Sequence, residues 1–164
     1  MTQQTHYDLI IIGAGIVGAA TLQQYQMKYP NKKVLLIEKE RKPSIHQTGR
    51  NSGVIHAGVY YPPNSLKAAY CREGLHDTIA WCNKYKLPFE QCGKLIVATN
   101  DIEMARLDVL FENCQANELH PQRVSQLKLK VLEPNITGQE AILVNATVIT
   151  DYAAITHSLL DVAR

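Results

Sequence analysis

The sequence has no run of eighteen or more apolar residues, so no transmembrane helix is expected. It has little net charge: 17 Lys+Arg against 15 Asp+Glu leave +2 at pH 7. The basic residues are scattered, and no basic stripe with interleaved aromatics occurs. Nucleic acid is therefore not an expected partner. The four cysteines, Cys71, Cys82, Cys92 and Cys114, form no CxxC pair, and none has a histidine at zinc-ligand spacing. No metal site is expected. Cys71, Leu75, Ile79 and Cys82 fall on one face of a predicted helix, and Cys114 continues a Met104, Leu107, Phe111 stripe. All four read as reduced core thiols of a cytoplasmic protein. There is no internal repeat and no low-complexity segment. The N-terminus lacks the basic, apolar, small-residue order of a signal peptide, so none is expected.

The informative feature that is present is the turn Gly13-Ala14-Gly15-Ile16-Val17-Gly18. An apolar run, Tyr7–Ile12, precedes it, and a helical stretch to about Tyr29 follows. A second apolar run, Val34–Ile37, ends at Glu38, twenty residues past Gly18. Strand, glycine turn, helix, strand and terminal acid, in that order, form the dinucleotide-binding βαβ pattern. Gly13 makes the tight turn. Gly15 lets a pyrophosphate approach the backbone. Gly18 lets the helix pack closely on the sheet. The phosphates then meet free N–H groups at the positive end of the helix, where Ile16 begins the first turn. Glu38 is placed to accept hydrogen bonds from ribose hydroxyls, and its charge argues against NADP. It does not separate NAD from FAD. A tight strand–helix turn without a ligand is the bland alternative.

Beyond this unit the predicted elements are a helix from an N-cap at Ser65 to about Lys86, and a strand over Phe89–Thr99 centred on Lys94–Ala98. A helix from Asn100 or Asp101 to about Leu119 and a short helix over Val124–Leu132 come next. A strand over Ala141–Ile149 and a helix over Tyr152–Arg164, capped by Asp151, complete the series. One βαβ unit supplies only part of a parallel sheet. Either another chain supplies the remaining strands, or the chain is the N-terminal piece of a longer protein, which is the preferred expectation.

Residues His46-Gln47-Thr48-Gly49-Arg50-Asn51-Ser52-Gly53-Val54-Ile55-His56-Ala57-Gly58 begin eight positions after Glu38. Three glycines, polar side chains and two histidines stand at the carboxyl end of the second strand, the ligand-binding edge of an open α/β sheet. A helix start near Asn51 is expected to add N–H donors. A solvated loop of turn residues is the competing reading. A long segment of this composition after the second strand favours FAD over NAD.

The glycine turn, Glu38-Lys39 and the HQTG-x-NSGVIHAG-x-YY run together resemble FAD-dependent oxidoreductases of the D-amino-acid-oxidase superfamily. Within it, the resemblance is strongest to the L-2-hydroxyglutarate oxidase/dehydrogenase family. Ser65–Ala68, Cys92–Ala98 and Glu133–Gly138 also match. The resemblance implies an α/β architecture, a Rossmann-like FAD-binding domain interrupted by an α+β, mostly antiparallel substrate domain. Residues 1–87 and 150–164 would belong to the first and 88–149 to the second. Two positions depart from the family: Arg50, often histidine there, and Thr147, usually glycine. By the resemblance, Gly13, Gly15, Ile16, Gly18 and Glu38 hold the ADP half of FAD. Lys39 lies near the adenosine or is simply solvated. Thr48, Asn51, Ser52, Gly53 and Val54 line the path from pyrophosphate to isoalloxazine, mostly through backbone groups.

The implied reaction oxidises a small 2-hydroxy acid, L-2-hydroxyglutarate, to the 2-oxo acid. It needs a base for the hydroxyl proton, and histidine suits that task because its pKa lies near the working pH. His56 is the candidate here; a structural histidine is the competing reading, and so is a base beyond Arg164. Tyr60 and Tyr61 border the pocket or serve packing. The electrons would go to oxygen or a membrane acceptor, the protein being cytoplasmic or peripheral at the inner face of a membrane. Other superfamily reactions, on an amino acid or glycerol phosphate, an NAD-linked dehydrogenase and a non-catalytic fragment are the alternatives.

Overall fold

The computed structural model describes residues 6–163. They form two compact units. The first gathers the described residues up to Gly53, Trp81–Pro88, and those from Asp151 onward. The second gathers Val54–Ala80 and Phe89–Thr150. Residues 54–80, expected to belong with the N-terminal segment, thus cluster with 89–150.

In the first unit, β1 (Leu9–Ile12) runs into the glycine turn, α1 (Ile16–Lys28) follows, and β2 (Val34–Ile37) returns. β1 and β2 pair in parallel, from Leu9 opposite Val34 to Ile12 opposite Ile37. The β-branched Ile and Val residues suit this pleated surface. α1 buries Ala19, Leu22 and Gln23. The last helix, α5 (Tyr152–Val162), starts as expected: the Asp151 carboxylate accepts from the Ala153 and Ala154 N–H groups at 2.8 and 3.1 Å. Its apolar face is not left without a partner. α5 packs along α1, burying Ile155 and Leu159, while Val162 turns outward. The end of α2 (Leu66–Tyr85) belongs here too, and the Trp81 indole N–H donates to Ser158 Oγ at 3.2 Å.

The second unit contains two antiparallel sheets. In one, β8 (Val148–Thr150) lies between β3 (Val54–Ile55) and β4 (Phe89–Glu90). In the other, β7 (Glu140–Val144) lies between β5 (Lys94–Ala98) and β6 (Gln122–Ser125). α3 (Asp101–Ala116) and α4 (Gln126–Leu132) pack on this second sheet. Buried Val124, Leu129 and Ala141, with Leu95, Val97 and Leu143 against them, form its core.

Four expectations need correction. The strand expected over Phe89–Thr99 is two strands in different sheets. Gly93, at φ +72, breaks the run, and its N–H donates to the Thr147 carbonyl at 3.0 Å. The strand expected over Ala141–Ile149 is likewise two, with the chain switching sheets at Asn145-Ala146. Val124 is in β6, opposite Ala141, and the short helix begins only after Ser125, whose hydroxyl accepts from the Lys128 N–H. Finally, Cys92 is exposed and Cys71 half-buried, whereas Cys82 and Cys114 are core thiols; no disulfide joins the four. Arg164, the expected end of the last helix, lies outside the described residues.

Candidate functional site

The glycine turn closes upon itself. Gly13 has φ +103, a conformation that L side chains rarely adopt, and its N–H donates to the Ile37 carbonyl at 2.7 Å. This bond ties the turn to the end of β2. A Cβ on Gly18 would fall well inside contact distance of the Gly13 carbonyl oxygen. Gly18 does more than the expected helix-on-sheet packing. Its nearest neighbour is the turn's own backbone, with Ile11 of β1 behind it at 3.5 Å.

Thr48 completes the start of α1. Gly15 is the N-cap residue and offers no side-chain cap. The Thr48 hydroxyl supplies it from a distant part of the chain, accepting from the Ile16 N–H at 3.0 Å. A Cβ on Gly15 would meet the same oxygen at 3.0 Å. The next N–H groups of the first turn have no intrahelical acceptor, and they carry the positive end of the helix dipole. The Thr48 hydroxyl keeps its own proton to donate.

Glu38 stands beside this turn. One carboxylate oxygen accepts from the Ala14 N–H at 2.7 Å and the other from the Glu40 N–H at 3.0 Å. The Ala14 bond foremost, then the Glu40 bond, holds the Glu38 carboxyl below the usual carboxylate range. Two oxygens accept about four hydrogen bonds in all, so these two leave room for hydroxyl donors. Lys39 is exposed, with Nζ 3.9 Å from the Glu40 carboxylate, and His46 Nε2 lies 2.8 Å from that same carboxylate.

Asn51 does not start a helix. The preceding Gln47–Gly49 forms one 3₁₀ turn, and the Asn51 side chain stitches the loop together. Its Nδ2 donates to the Gln47 and Thr48 carbonyls at 3.0 and 2.8 Å, and its Oδ1 accepts from the Gly53 N–H at 2.7 Å. Ser52 is exposed, and Gly53 adopts φ +70. Arg50 is exposed as well. Thus Gly13, Gly15, Ile16, Gly18, Glu38 and Thr48 converge on the start of α1, while Asn51 shapes the loop that delivers Thr48.

Val54 and His56 fall in the second unit. Val54 pairs with Ile149. The His56 side chain is exposed and its carbonyl accepts from Cys71 Sγ at 3.0 Å. His56 also lines a small cavity with Tyr60, Tyr61, Lys94 and Thr147. His6, His76, His120 and His157 are all exposed.

Three participants were missed from sequence. Ala14 acts through its backbone N–H, which no residue type announces. A Cβ on Gly49 would overlap the Ser44 carbonyl, so Gly49 is the close-approach glycine of the Thr48 loop. Ser44 adopts φ 65, and its buried hydroxyl has no partner among the described residues. Gly49 was legible as a glycine in a polar run; Ser44 carried no signal. Among the described residues no group of His, Cys, Asp and Glu could hold a metal ion, and no helix is long and apolar enough to cross a membrane.

The donor set fits a dinucleotide: an anion site at a helix start, a close-approach glycine, and a carboxylate with acceptor capacity for a ribose. Comparison with known proteins agrees. Residues 8–164 match the family model for FAD dependent oxidoreductases. The chain is 44% identical over 156 residues to the L-2-hydroxyglutarate dehydrogenase of Escherichia coli K12, covering 95% of this chain and 37% of that protein. It is 46% identical over 151 residues to the mitochondrial L-2-hydroxyglutarate dehydrogenase of Caenorhabditis elegans, covering 92% and 35%. The chain thus spans little more than a third of the length of these relatives. Among solved structures it is similar to the FAD-bound L-alpha-glycerophosphate oxidase of Mycoplasma pneumoniae. The TM-score is 0.82 at 28% identity, over 96% of this chain and 42% of that one. The glycine oxidase of Geobacillus kaustophilus shares the fold, with TM-score 0.85 at 17% identity, over 97% and 45%. The chain belongs to the FAD-dependent oxidoreductase family.

Proposed function

We propose that this chain supplies the ADP-binding part, and a portion of the substrate-binding part, of an enzyme that oxidises L-2-hydroxyglutarate or a close 2-hydroxy acid. The observation that carries the reading is the glycine turn locked against Glu38 and Thr48, joined to 44–46% identity with proteins named L-2-hydroxyglutarate dehydrogenase. Gly13, Gly15, Ile16 and Gly18 present the first turn of α1 to the pyrophosphate. Glu38 receives the ribose hydroxyls. Thr48 donates its hydroxyl proton toward the phosphates, and Asn51, Ser52 and Gly53 shape the backbone leading away from them. Bound FAD would supply a two-electron acceptor for the C2 hydride of the hydroxy acid, and this chain's own part would be to hold the ADP half and to take the hydroxyl proton. His56, exposed and among the residues lining a small cavity, is the proposed acceptor of that proton. Val54, in β3, fixes the backbone from which His56 projects.

We place the protein in the cytoplasm, handing electrons to oxygen or, through a peripheral contact at the inner face of a membrane, to a membrane acceptor. The reading is tested on the chain and on a chain extended to the length of its relatives. Flavin stoichiometry by visible absorbance and 2-oxoglutarate formation are measured on both. His56→Ala in the extended chain is expected to slow flavin reduction about 10²–10⁴-fold with FAD still bound, the usual range for loss of a general base. Wild-type reduction kinetics in that variant would remove His56 from the role. An extended chain that binds no flavin would sink the reading as a whole.

A further inference from the structure

His46 links the two halves of the dinucleotide site, through its side chain to the turn of Glu38 and through its carbonyl to the turn of Thr48. All these residues lie in the first unit. The imidazole Nε2 is 2.8 Å from Glu40 Oε1. A carboxylate can only accept, so Nε2 carries the proton and donates it. The Glu40 N–H in turn donates to one Glu38 oxygen at 3.0 Å, while the Ala14 N–H holds the other. Fixing the Glu40 side chain therefore steadies the backbone that aims Glu38. Lys39 Nζ stands 3.9 Å from the same Glu40 oxygen, beyond hydrogen-bond distance, and does not share this task.

The second connection runs through the backbone. The His46 carbonyl accepts from the Gly49 N–H at 3.0 Å and closes the 3₁₀ turn that brings Thr48 to the Ile16 N–H. The Glu40–His46 pair also closes the loop between those two positions. The Ser44 carbonyl in that loop lies where a Gly49 Cβ would be, so loop and turn are in direct contact. The pair itself is solvent-facing, with His46 54% and Glu40 36% exposed. An exposed pair of this kind contributes little to stability. Its effect is on direction: hydrogen bonds weaken steeply as donor and acceptor lose alignment.

We propose that His46 is a positioning residue for the cofactor. Through Glu40 it sets the direction in which Glu38 meets the ribose hydroxyls, in register with the phosphate donor Thr48. Neither His46 nor Glu40 needs to touch the nucleotide for this. The inference rests on the nucleotide-binding role given to Glu38 and Thr48 above; it does not depend on the oxidation or on His56.

The test titrates the chain with ADP, the half of FAD that these residues would hold, and with 2′-deoxy-ADP, which lacks one ribose hydroxyl. Calorimetry reads the preference between the two. The wild type is expected to prefer ADP about tenfold, the scale of one charge-assisted hydrogen bond. His46→Ala should cut that preference to about threefold or less, chiefly by weakening ADP, as alignment is lost. Its melting point should stay within about 2 °C of wild type, since the pair is exposed. His46→Gln keeps an N–H donor for Glu40 and should restore the preference. Glu40→Ala removes the carboxylate but keeps the Glu40 N–H. It should act as His46→Ala does, and the double variant should lose no more than either single one. Should His46→Ala fail to fold, Glu40→Ala and His46→Gln decide. A preference unaltered in the variants, ADP and 2′-deoxy-ADP weakened equally, or additive losses in the double variant would each overturn the proposal and leave the nucleotide site standing. A wild type that binds no ADP, or binds both ligands alike, would overturn the proposal together with the role of Glu38 on which it rests.

Discussion

Gly18→Ala adds a single methyl group where two backbones already touch. The new Cβ falls inside contact distance of the Gly13 carbonyl oxygen and 3.1 Å from its carbonyl carbon. Neither atom belongs to a side chain that could rotate away. The turn, held by Gly13 to Ile37 and by Ala14 to Glu38, must shift instead. Overpacking against such atoms costs about 3 kcal/mol, the upper part of the usual range. Alanine is favoured over glycine inside a helix by about 1 kcal/mol, and Gly18 lies in α1, so a net loss of about 2 kcal/mol remains. For a chain of this size each kcal/mol moves the melting point by about 2–4 °C, giving a fall of about 4–8 °C. Gly74→Ala is the control. It is the same substitution in helix α2, where a Cβ meets nothing within 4 Å. Only the propensity gain acts there, and the melting point should rise by about 2–4 °C. Thermal unfolding of both variants, followed by circular dichroism, measures the two signs together. A Gly18→Ala protein melting at or above the wild type would refute the account of the turn.

Glu38→Gln places an amide donor against one of two N–H groups that now face a carboxylate, and FAD binding should weaken about tenfold as a charged acceptor is lost. The Ala14 and Glu40 N–H groups hold the Glu38 carboxyl below its ordinary 4.5. Its contribution to stability is therefore present above that value and is lost as pH falls through the lower value of the folded state. An acid titration of stability should show this loss in the wild type and not in Glu38→Gln; parallel curves would contradict it. Thr48→Val removes the cap of α1 and should cost about 1 kcal/mol, with Thr48→Ser near wild type, read from denaturant midpoints.

The caps at Ser65, Asn100 and Asp151 were legible because each acts within three residues of its own side chain; the glycine turn and Glu38 were legible through the order and spacing of the βαβ motif, although their bonds reach Ile37 and Ala14. The misread segments share a different cause. Phe89–Thr99 and Ala141–Ile149 each read as one run around an apolar centre, Leu95–Ala98 and Ala141–Val144, yet each serves two sheets. Nothing in an apolar pattern marks where a strand leaves one sheet for another. Gly93 was the available signal in the first case, and Asn145 in the second. Val124 looked helical because it continues the leucine spacing of α4, but its pairing with Ala141 is decided 17 residues away. In the site, Thr48 was read as a cofactor residue by resemblance. Its bond to the Ile16 N–H could not be read at all, since it depends on where a loop lands.

That bond joins positions 32 apart in the chain, and Ala14 to Glu38 spans 24. A local cap closes a loop of about four residues; closing one of 32 costs about 2 kcal/mol more in chain entropy, at 0.6 for each doubling. The strand and helix of the motif can therefore form early, but the turn between them acquires its final shape only after the polypeptide has emerged through Thr48. A peptide holding the glycine motif and α1 alone would carry the signature without the binding geometry. The minimal autonomous unit for nucleotide capture is set by the loop that returns to it, not by the motif.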